Sequence, residues 1–241
     1  MTRQRIDSLM VVRGLVQSRA KAQALIMAGK VIVTGKAALK PGTLVNEEVD
    51  IRISEPPLFV SRGGIKLAYA LDWFEIDVAT WIVVDIGAST GGFTDCLLQR
   101  GAGRVYAVDV GYGQLDYRLR RDERVVVMER VNARYPITLP EKVDLVTMDL
   151  SFISVKKVLP AAALLLKDGG YMLVLIKPQF EAKRKEVGKG GVIQSPLLHA
   201  EILGRFLAWL IEQSYRLKGL VTSPILGASG NKEFFVLLKL T

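Results

Sequence analysis

The sequence predicts an α/β protein, a mostly parallel sheet with helices on both faces, preceded by a smaller α+β unit. Three observations carry this. From about Ser61 onward, short apolar runs alternate with helical patterns: WIVVDIG (81–87), RVYAVDV (104–110), RVVVME (124–129), VDLVTMD (143–149) and YMLVLIK (171–177). Runs that are apolar throughout, rather than at every second residue, belong to strands covered on both faces. Before Ser61 the composition changes, because residues 1–44 hold eight basic side chains against the single acid Asp7 and so carry +7 of the chain's formal +9. Between the two stands EPP (55–57), which breaks secondary structure. The expected divisions are 1–56 for the small unit, 57–60 for a linker and 61–241 for the large domain.

Each element follows from local pattern. Ser18 can cap a helix in SRAKAQALIMAG, where Ala22, Leu25 and Ile26 share a face and Gly29 can supply a left-handed stop. A strand VIV (31–33), a tight Thr34-Gly35 turn, a loop through Pro41-Gly42 and a second strand VDIRI (49–53) follow. A unit of roughly 55 residues is marginal alone, so it is expected to lean on its neighbour or its ligand. In the large domain, TDCLLQR (94–100), LDYRLRR (115–121) and VKKVLPAAALLLK (155–167) suit crossover helices. The segment LLHAEILGRFLAWL (197–210) is helical, and His199 within it reads as structural or surface. YRLKGLVTS (215–223) and EFFVLLKL (233–240) are two more strands joined by a loop too short for a helical crossover, so the last should run antiparallel.

Composition narrows the function. A chain of 241 residues, 50% hydrophobic and 24% charged, can bury a large core. No apolar run approaches the roughly 18 residues that span a bilayer, and MTRQRIDSLM lacks the apolar core of a signal peptide. The expected location is therefore cytoplasmic, with no stable membrane association. One cysteine, Cys96, and one histidine, His199, exclude an internal disulfide and argue against a Cys/His metal site. The basic block points to a polyanion, because phosphates bound by Lys and Arg release counterions. Its candidate contacts are Arg3, Arg5, Arg13, Arg19, Lys21, Lys30 and Lys36.

The first strand of the large domain runs into DIGASTGGF (85–93), which offers Asp85, Gly87, Ser89, Gly91, Gly92 and Phe93 ahead of a helix from about Thr90. Glycines there let backbone approach a ligand, and a helix start favours polar or negative groups. The spacing is G-x-x-x-G-G, not the G-x-G-x-x-G of dinucleotide folds. Asp109 ends the second strand, where a carboxylate can accept from ribose hydroxyls, and Asn132 follows the third, near enough to meet an adenine edge. Polar residues on three successive strand ends favour a nucleoside cofactor.

At this point the sequence resembles the S-adenosylmethionine-dependent methyltransferases. More narrowly it is similar to the FtsJ-type ribose methyltransferases, and within them to the TlyA or hemolysin A family of ribosomal RNA methyltransferases. The motifs that carry the likeness are SRGGIKL (61–67), DIGASTGGFTD (85–95), AVDVGYGQL (107–115), MDLSFIS (148–154), IKPQFE (176–181) and SGNKEFF (229–235). The N-terminal unit resembles the small αL-type RNA-binding domain of ribosomal proteins and pseudouridine synthases. The resemblance implies S-adenosylmethionine as cofactor, ribosomal RNA or ribosomal subunits as partner, and 2′-O-methylation of a ribose, a cytidine in this family. It also implies a Lys-Asp-Lys-Glu catalytic set, whose counterparts here are Lys66, Asp149, Lys177 and Glu233. The FtsJ group more often has an acid near the position of Asn132.

The chemistry agrees with these residue types. Moving a methyl group to a hydroxyl needs in-line positioning and removal of the hydroxyl proton, and a neutral lysine can take that proton. Lys177, at the end of a buried strand, is the expected base; Asp149 would orient it or hold the sulfonium side, while Lys66 and Glu233 would orient the hydroxyl and tune the pair. The following stretch EAKRKEVGKGGVIQSP (181–196) reads either as a mobile lid whose Lys183, Arg184, Lys185 and Lys189 meet RNA phosphates, or as a plain solvated loop. Cytosine C5 methylation would need a nucleophilic thiol, and Cys96 reads as core. Base-amine methylation is disfavoured because DLSF stands where those enzymes resemble one another in an Asn/Asp-Pro-Pro-aromatic stretch. Two rival readings are a membrane-active hemolysin and a non-catalytic RNA-binding assembly factor.

Overall fold

An apolar run can be buried along its whole length in a strand only if both faces of the sheet are covered. The computed structural model describes residues 3–34, 36–37, 40–54, 57–188 and 190–240, and the chain forms two units, Met1–Pro57 and Leu58–Thr241. Gly35 of the expected turn, Glu55 and Pro56 of the expected break, and Lys189 lie outside the described residues.

The small unit contains β1 (Arg3–Arg5), α1 (Ile6–Val12), α2 (Arg19–Met27), β2 (Val31–Val33), β3 (Lys36–Ala37), β4 (Leu44–Asn46) and β5 (Ile51–Ile53). β1 pairs antiparallel with β4, and β2 lies between β3 and β5, also antiparallel. Ser18 caps α2 as expected, its hydroxyl accepting from the Lys21 N–H at 3.2 Å, and Gly29 ends it at φ +67°. Ile6, Leu9, Met10, Ala22, Ile26, Val31 and Ile51 form a core of its own. The strands β1, β3 and β4 were not expected, because two or three residues are too few to show a period of two. The second expected strand is shorter than VDIRI, beginning at Ile51.

The large unit runs α3 (Arg62–Trp73), β6 (Ile82–Ile86), α4 (Gly92–Gln99), β7 (Arg104–Asp109), α5 (Tyr117–Arg120), β8 (Val125–Glu129), β9 (Val143–Met148), α6 (Leu159–Ala163), β10 (Leu166–Ile176), α7 (Pro178–Glu181), α8 (Pro196–Glu212), β11 (Arg216–Thr222) and β12 (Phe234–Lys239). The sheet order is β11-β12-β10-β9-β6-β7-β8. The strands β10, β9, β6, β7 and β8 run parallel to one another, and the last strand, β12, is antiparallel to both β10 and β11. Alternate residues face two cores. Val83, Val105, Leu145, Leu173 and Phe235 pack with Leu67 and Leu71 of α3 and Leu97 of α4. Val84, Tyr106, Val146, Met172 and Val236 pack on the other face with Leu159 of α6 and Phe206 of α8.

Three details differ from expectation. The helix after β9 covers only Leu159–Ala163 after a short 3-10 turn at Val155–Lys157, and Leu166 and Lys167 belong to β10. Leu166 pairs with Val143 and Tyr171 with Leu145, so the ladder shifts register around Gly169-Gly170, which the helical pattern of VKKVLPAAALLLK concealed. The crossover at 115–121 is a single turn, Tyr117–Arg120, and α4 begins at Gly92 rather than near Thr90.

Core position decides the cost of truncation. Leu145 is fully buried at the sheet centre, so Leu145→Ala should cost about 2–5 kcal/mol in urea titration, whereas Val126→Ala, on the edge strand β8 and 37% exposed, should stay within about 0.5 kcal/mol. In the small unit, the Arg5 guanidinium holds the buried Asp7 carboxyl well below its ordinary value of 3.8. A depressed folded-state value means stability present above about pH 4 and lost as pH falls below it. Amide exchange in α1 and α2 should therefore accelerate on acidification from pH 5 to pH 3, and Asp7→Asn should flatten that response.

Candidate functional site

Strands β6, β7, β9 and β10 end at one edge of the sheet, and the antiparallel β12 begins there. The edge therefore gathers residues far apart in sequence, the place where open α/β sheets hold ligands. The loop after β6 turns sharply at Gly87, with φ +86° and a backbone so close to β9 that a Cβ would stand 2.5 Å from the Asp149 carbonyl oxygen. A Cβ on Gly92, at the start of α4, would stand 2.1 Å from Ser61 Oγ and 3.0 Å from the Gly64 nitrogen. The two glycine pairs of SRGG and TGGF thus let α3 and α4 meet at their first turns, which sets Lys66 one turn inside the edge.

Not every candidate reaches the ligand side. Asp85 is completely buried; Thr94 Oγ1 donates to it at 2.7 Å and Thr147 Oγ1 at 3.1 Å, and burial pushes its carboxyl up to about 7. It ties α4 and β9 to β6 and does not line the cleft. Gly91, at φ +95°, packs against Leu115 and Leu119. Asp109 does face the cleft, with its Oδ2 accepting from the Ser89 N–H at 2.8 Å and its Oδ1 from the Gly111 N–H at 2.7 Å. The Asn132 side chain accepts from the Arg134 N–H at 3.1 Å.

The cleft has a volume of about 560 Å³ and is lined by Gly87, Ser89, Asp109, Asn132, Asp149 and Phe152 among others. A smaller compartment of about 160 Å³ shares Gly87, Ser89, Asp149 and Ser151 with it and adds Gly92, Phe93 and Lys177. At that junction Lys177 Nζ lies 2.6 Å from Asp149 Oδ1 and donates to Ser151 Oγ at 2.9 Å. A second pair stands behind it: Lys66 Nζ donates to Glu233 Oε2 at 2.6 Å, with both side chains buried. The ladder pairs Ile176 with Phe234, so one step further places Glu233 beside Lys177 across β10 and β12. Four residues named from the sequence thus form two lysine–carboxylate pairs, three of them at strand ends and Lys66 reaching in from α3.

Sequence reasoning missed Val110, Gln114, Leu150, Ser151 and Phe152, which also line the cleft. Phe152 is 92% exposed, holds φ +64° and lies 5.4 Å from the Phe180 ring. A bulky residue in that conformation is uncommon and costs energy. Its setting in MDLSFIS beside Asp149 was the available signal, but an aromatic in an apolar run reads first as core. The turn is braced by Glu181, which accepts from Ser154 Oγ at 2.6 Å and from the Val155 N–H at 2.7 Å, and whose carboxyl burial pushes up.

The basic loop 181–196 is better anchored than its composition implied. Arg205 donates to Glu186 at 2.7 Å, and Asn231 accepts from the Ile193 N–H at 2.8 Å while donating to the Gly191 carbonyl at 2.9 Å. His199 is buried edge-on against Phe234, and Cys96 is buried with its thiol pushed up to about 12 by desolvation, both in core positions. In the small unit, Arg3, Lys21 and Lys36 are exposed, and Lys30 is half-buried. Arg13 donates to the Val49 carbonyl at 2.6 Å and to the Glu47 carbonyl, so it braces a turn. Arg5 and Arg19 both bond Asp7.

Comparison with known proteins agrees with this geometry. The FtsJ-like methyltransferase family matches residues 59–240, and the S4 domain matches residues 4–51. A relative from Mycobacterium tuberculosis named 16S/23S rRNA (cytidine-2′-O)-methyltransferase TlyA is 45% identical over 98% of this chain and 90% of its own length. One named Hemolysin A, from Brachyspira hyodysenteriae, is 41% identical over 95% of this chain and 97% of its own. A solved structure from Streptococcus thermophilus, provisionally described as a hemolysin, superposes with a TM-score of 0.76 at 41% identity, covering 100% of this chain and 90% of that one. With an FtsJ-like match over most of its length and an S4 domain before it, this chain belongs to the FtsJ-like methyltransferase family.

Proposed function

We propose that the protein transfers a methyl group from S-adenosylmethionine to the 2′-hydroxyl of a cytidine in ribosomal RNA. The observation that carries this reading is the pair of lysine–carboxylate contacts, Lys177–Asp149 and Lys66–Glu233, at the junction of two compartments on the sheet edge. The substrate comes from the activity printed for the relative at 45% identity.

The residues present suit the cofactor. A cleft of about 560 Å³ falls in the range of small-molecule sites. Asp109 spends one acceptor position on each oxygen, and a carboxylate has about four, so ribose hydroxyls still find acceptors there. Asn132, Val110 and Leu150 offer an amide and apolar surface to a base, and Gly87 leaves room where any side chain would intrude. Bound there, S-adenosylmethionine supplies an electrophilic methyl group on a sulfonium.

Lys177, as a neutral amine, would take the proton from the 2′-hydroxyl as the ribose oxygen bonds to the methyl carbon and the methyl–sulfur bond breaks. Asp149 and Ser151 fix the Lys177 amine from two sides, so one direction remains for the hydroxyl. Lys66 and Glu233, buried behind, hold the start of β12 against α3 and keep the neighbouring strand end in register. Phe152 gives the incoming nucleotide an exposed ring at the cleft mouth. The S4 domain would supply phosphate contacts through Arg3, Arg5, Arg19, Lys21, Lys30 and Lys36, with Arg13 mainly bracing. On this reading the reaction takes place where ribosomes are, in the cytoplasm.

The Hemolysin A name of one relative favours a membrane-active reading. Among the described residues no helix is long and apolar enough to cross a membrane.

Incubating ribosomal subunits and naked ribosomal RNA with labelled S-adenosylmethionine tests both readings. Wild type should label a ribose, and Lys177→Ala should lower the rate by about 10²–10⁴, the span of general-base catalysis, while binding cofactor normally. No label from wild type on any RNA, together with liposome leakage at low protein concentration, would replace the enzyme with a cytolysin. Asp109→Ala should weaken cofactor binding at least about tenfold, as loss of hydrogen bonds to a charged acceptor implies, measured by calorimetry. Removing residues 1–56 should weaken RNA binding and flatten its salt dependence while sparing cofactor binding.

A further inference from the structure

The only acid among residues 1–44 is Asp7, and eight bases surround it in sequence. It is fully buried within the S4 domain. Its carboxylate is saturated from several directions. Arg5 donates through Nε to Oδ1 at 3.1 Å and through Nη2 to Oδ2 at 2.9 Å, a two-pronged contact. Arg19 Nη2 donates to the same Oδ2 at 3.2 Å, Gln23 Nε2 does so at 2.9 Å, and Ser8 Oγ reaches Oδ1 at 3.4 Å. The two arginines nevertheless stay half open to solvent, at 47% and 55% of their side-chain surface. Each therefore spends one edge on the carboxylate and keeps the other for something outside.

This arrangement solves a physical problem. Two guanidiniums repel, and long side chains lose rotamer freedom when a ligand fixes them. A carboxylate beneath them offsets the repulsion and fixes the rotamers in advance. The backbone contributes too: Gly42 lies so near the Arg5 fork that a Cβ there would stand 3.2 Å from Nη1. Because both Nη2 atoms share Oδ2, their separation cannot exceed the sum of two hydrogen-bond lengths, a gap that one phosphate can bridge. Arg3 has no ion pair among the described residues and is exposed, so its guanidinium is not held in the way those of Arg5 and Arg19 are.

We propose that Asp7 is a positioning residue that assembles Arg5 and Arg19 into a single site for an RNA backbone phosphate. The inference rests on the reading of the S4 domain as the RNA-binding part. It makes a prediction opposite to that of net charge. Removing an acid from a basic surface should tighten binding to a polyanion if only the summed charge matters. Asp7→Asn should instead weaken it, because the guanidiniums lose the charged acceptor that holds them.

The test uses the full chain and naked ribosomal RNA, with affinity measured at several potassium chloride concentrations. Asp7→Asn should raise the dissociation constant about tenfold, as expected when a charge-assisted, two-pronged contact is lost. Arg5→Lys keeps the charge and removes the fork, and it should give a loss of similar size with the salt slope retained. Arg5→Lys keeps the proposal falsifiable should Asp7→Asn unfold the domain, since it leaves no buried charge unpaired. Wild-type affinity in Arg5→Lys, or tighter binding by folded Asp7→Asn, overturns the proposal while leaving the S4 domain as an RNA binder. RNA affinity that is unchanged on removing residues 1–56 overturns both.

Discussion

The large domain depends on one buried ion pair, Lys66 to Glu233, which joins the first helix to the start of the last strand. Neither charge could remain buried alone: removing one partner of such a pair costs about 3–5 kcal/mol, whereas the pair itself contributes little net stability. Its value is therefore positional. It fixes where α3 ends its approach to the sheet and where β12 begins, and so sets the register that brings Glu233 beside Lys177. Gly227 packs against the same carboxylate so closely that a Cβ would stand 2.2 Å from Glu233 Oε1. The loop before β12 is thus shaped around the pair, and Asn231 within it ties down the segment that follows Lys177.

With both sheet faces sealed by apolar cores, polar chemistry has only the strand ends available. The structure sorts the acids there by their partners. Asp85 is turned inward onto two threonine hydroxyls and holds the sheet edge together. Asp109 is turned toward the cleft but is held by two backbone N–H groups. Asp149 meets Lys177 at the compartment junction. Three carboxylates at similar places in the strand pattern thus take three different tasks, each decided by what stands opposite.

That sorting explains what could be read in the sequence. The strands were legible because covering both faces leaves unbroken apolar runs, and the antiparallel β12 followed from the short loop before it. Lys66, Asp149, Lys177 and Glu233 could be named together only through motifs shared with the FtsJ group; Lys177 alone also stood out as a charge closing a buried apolar run. The inward turn of Asp85 was not legible, because burial of its carboxylate depends on Thr94 and Thr147 arriving from α4 and β9. Nor was Phe152, which sits exposed on a left-handed backbone just before Ser154 and Val155, the residues that Glu181 ties down from farther along the chain. The register shift near Gly169 escaped notice for the same reason, since helical spacing in 155–167 says nothing of a pairing partner.

The small unit shows the same logic on a surface. Its excess of positive charge is visible in composition, but composition treats all eight bases alike. The structure divides them: Arg13 is committed to carbonyls, Arg5 and Arg19 are gathered on one carboxylate, and Arg3 and Lys36 are exposed. Diffuse charge attracts a polyanion from a distance and is screened within about 8 Å at physiological salt. A fixed pair of guanidiniums acts at contact and selects an orientation. Asp7 therefore bears on orientation more than on attraction, and a methyltransferase that must present one hydroxyl to one lysine needs its RNA held in register.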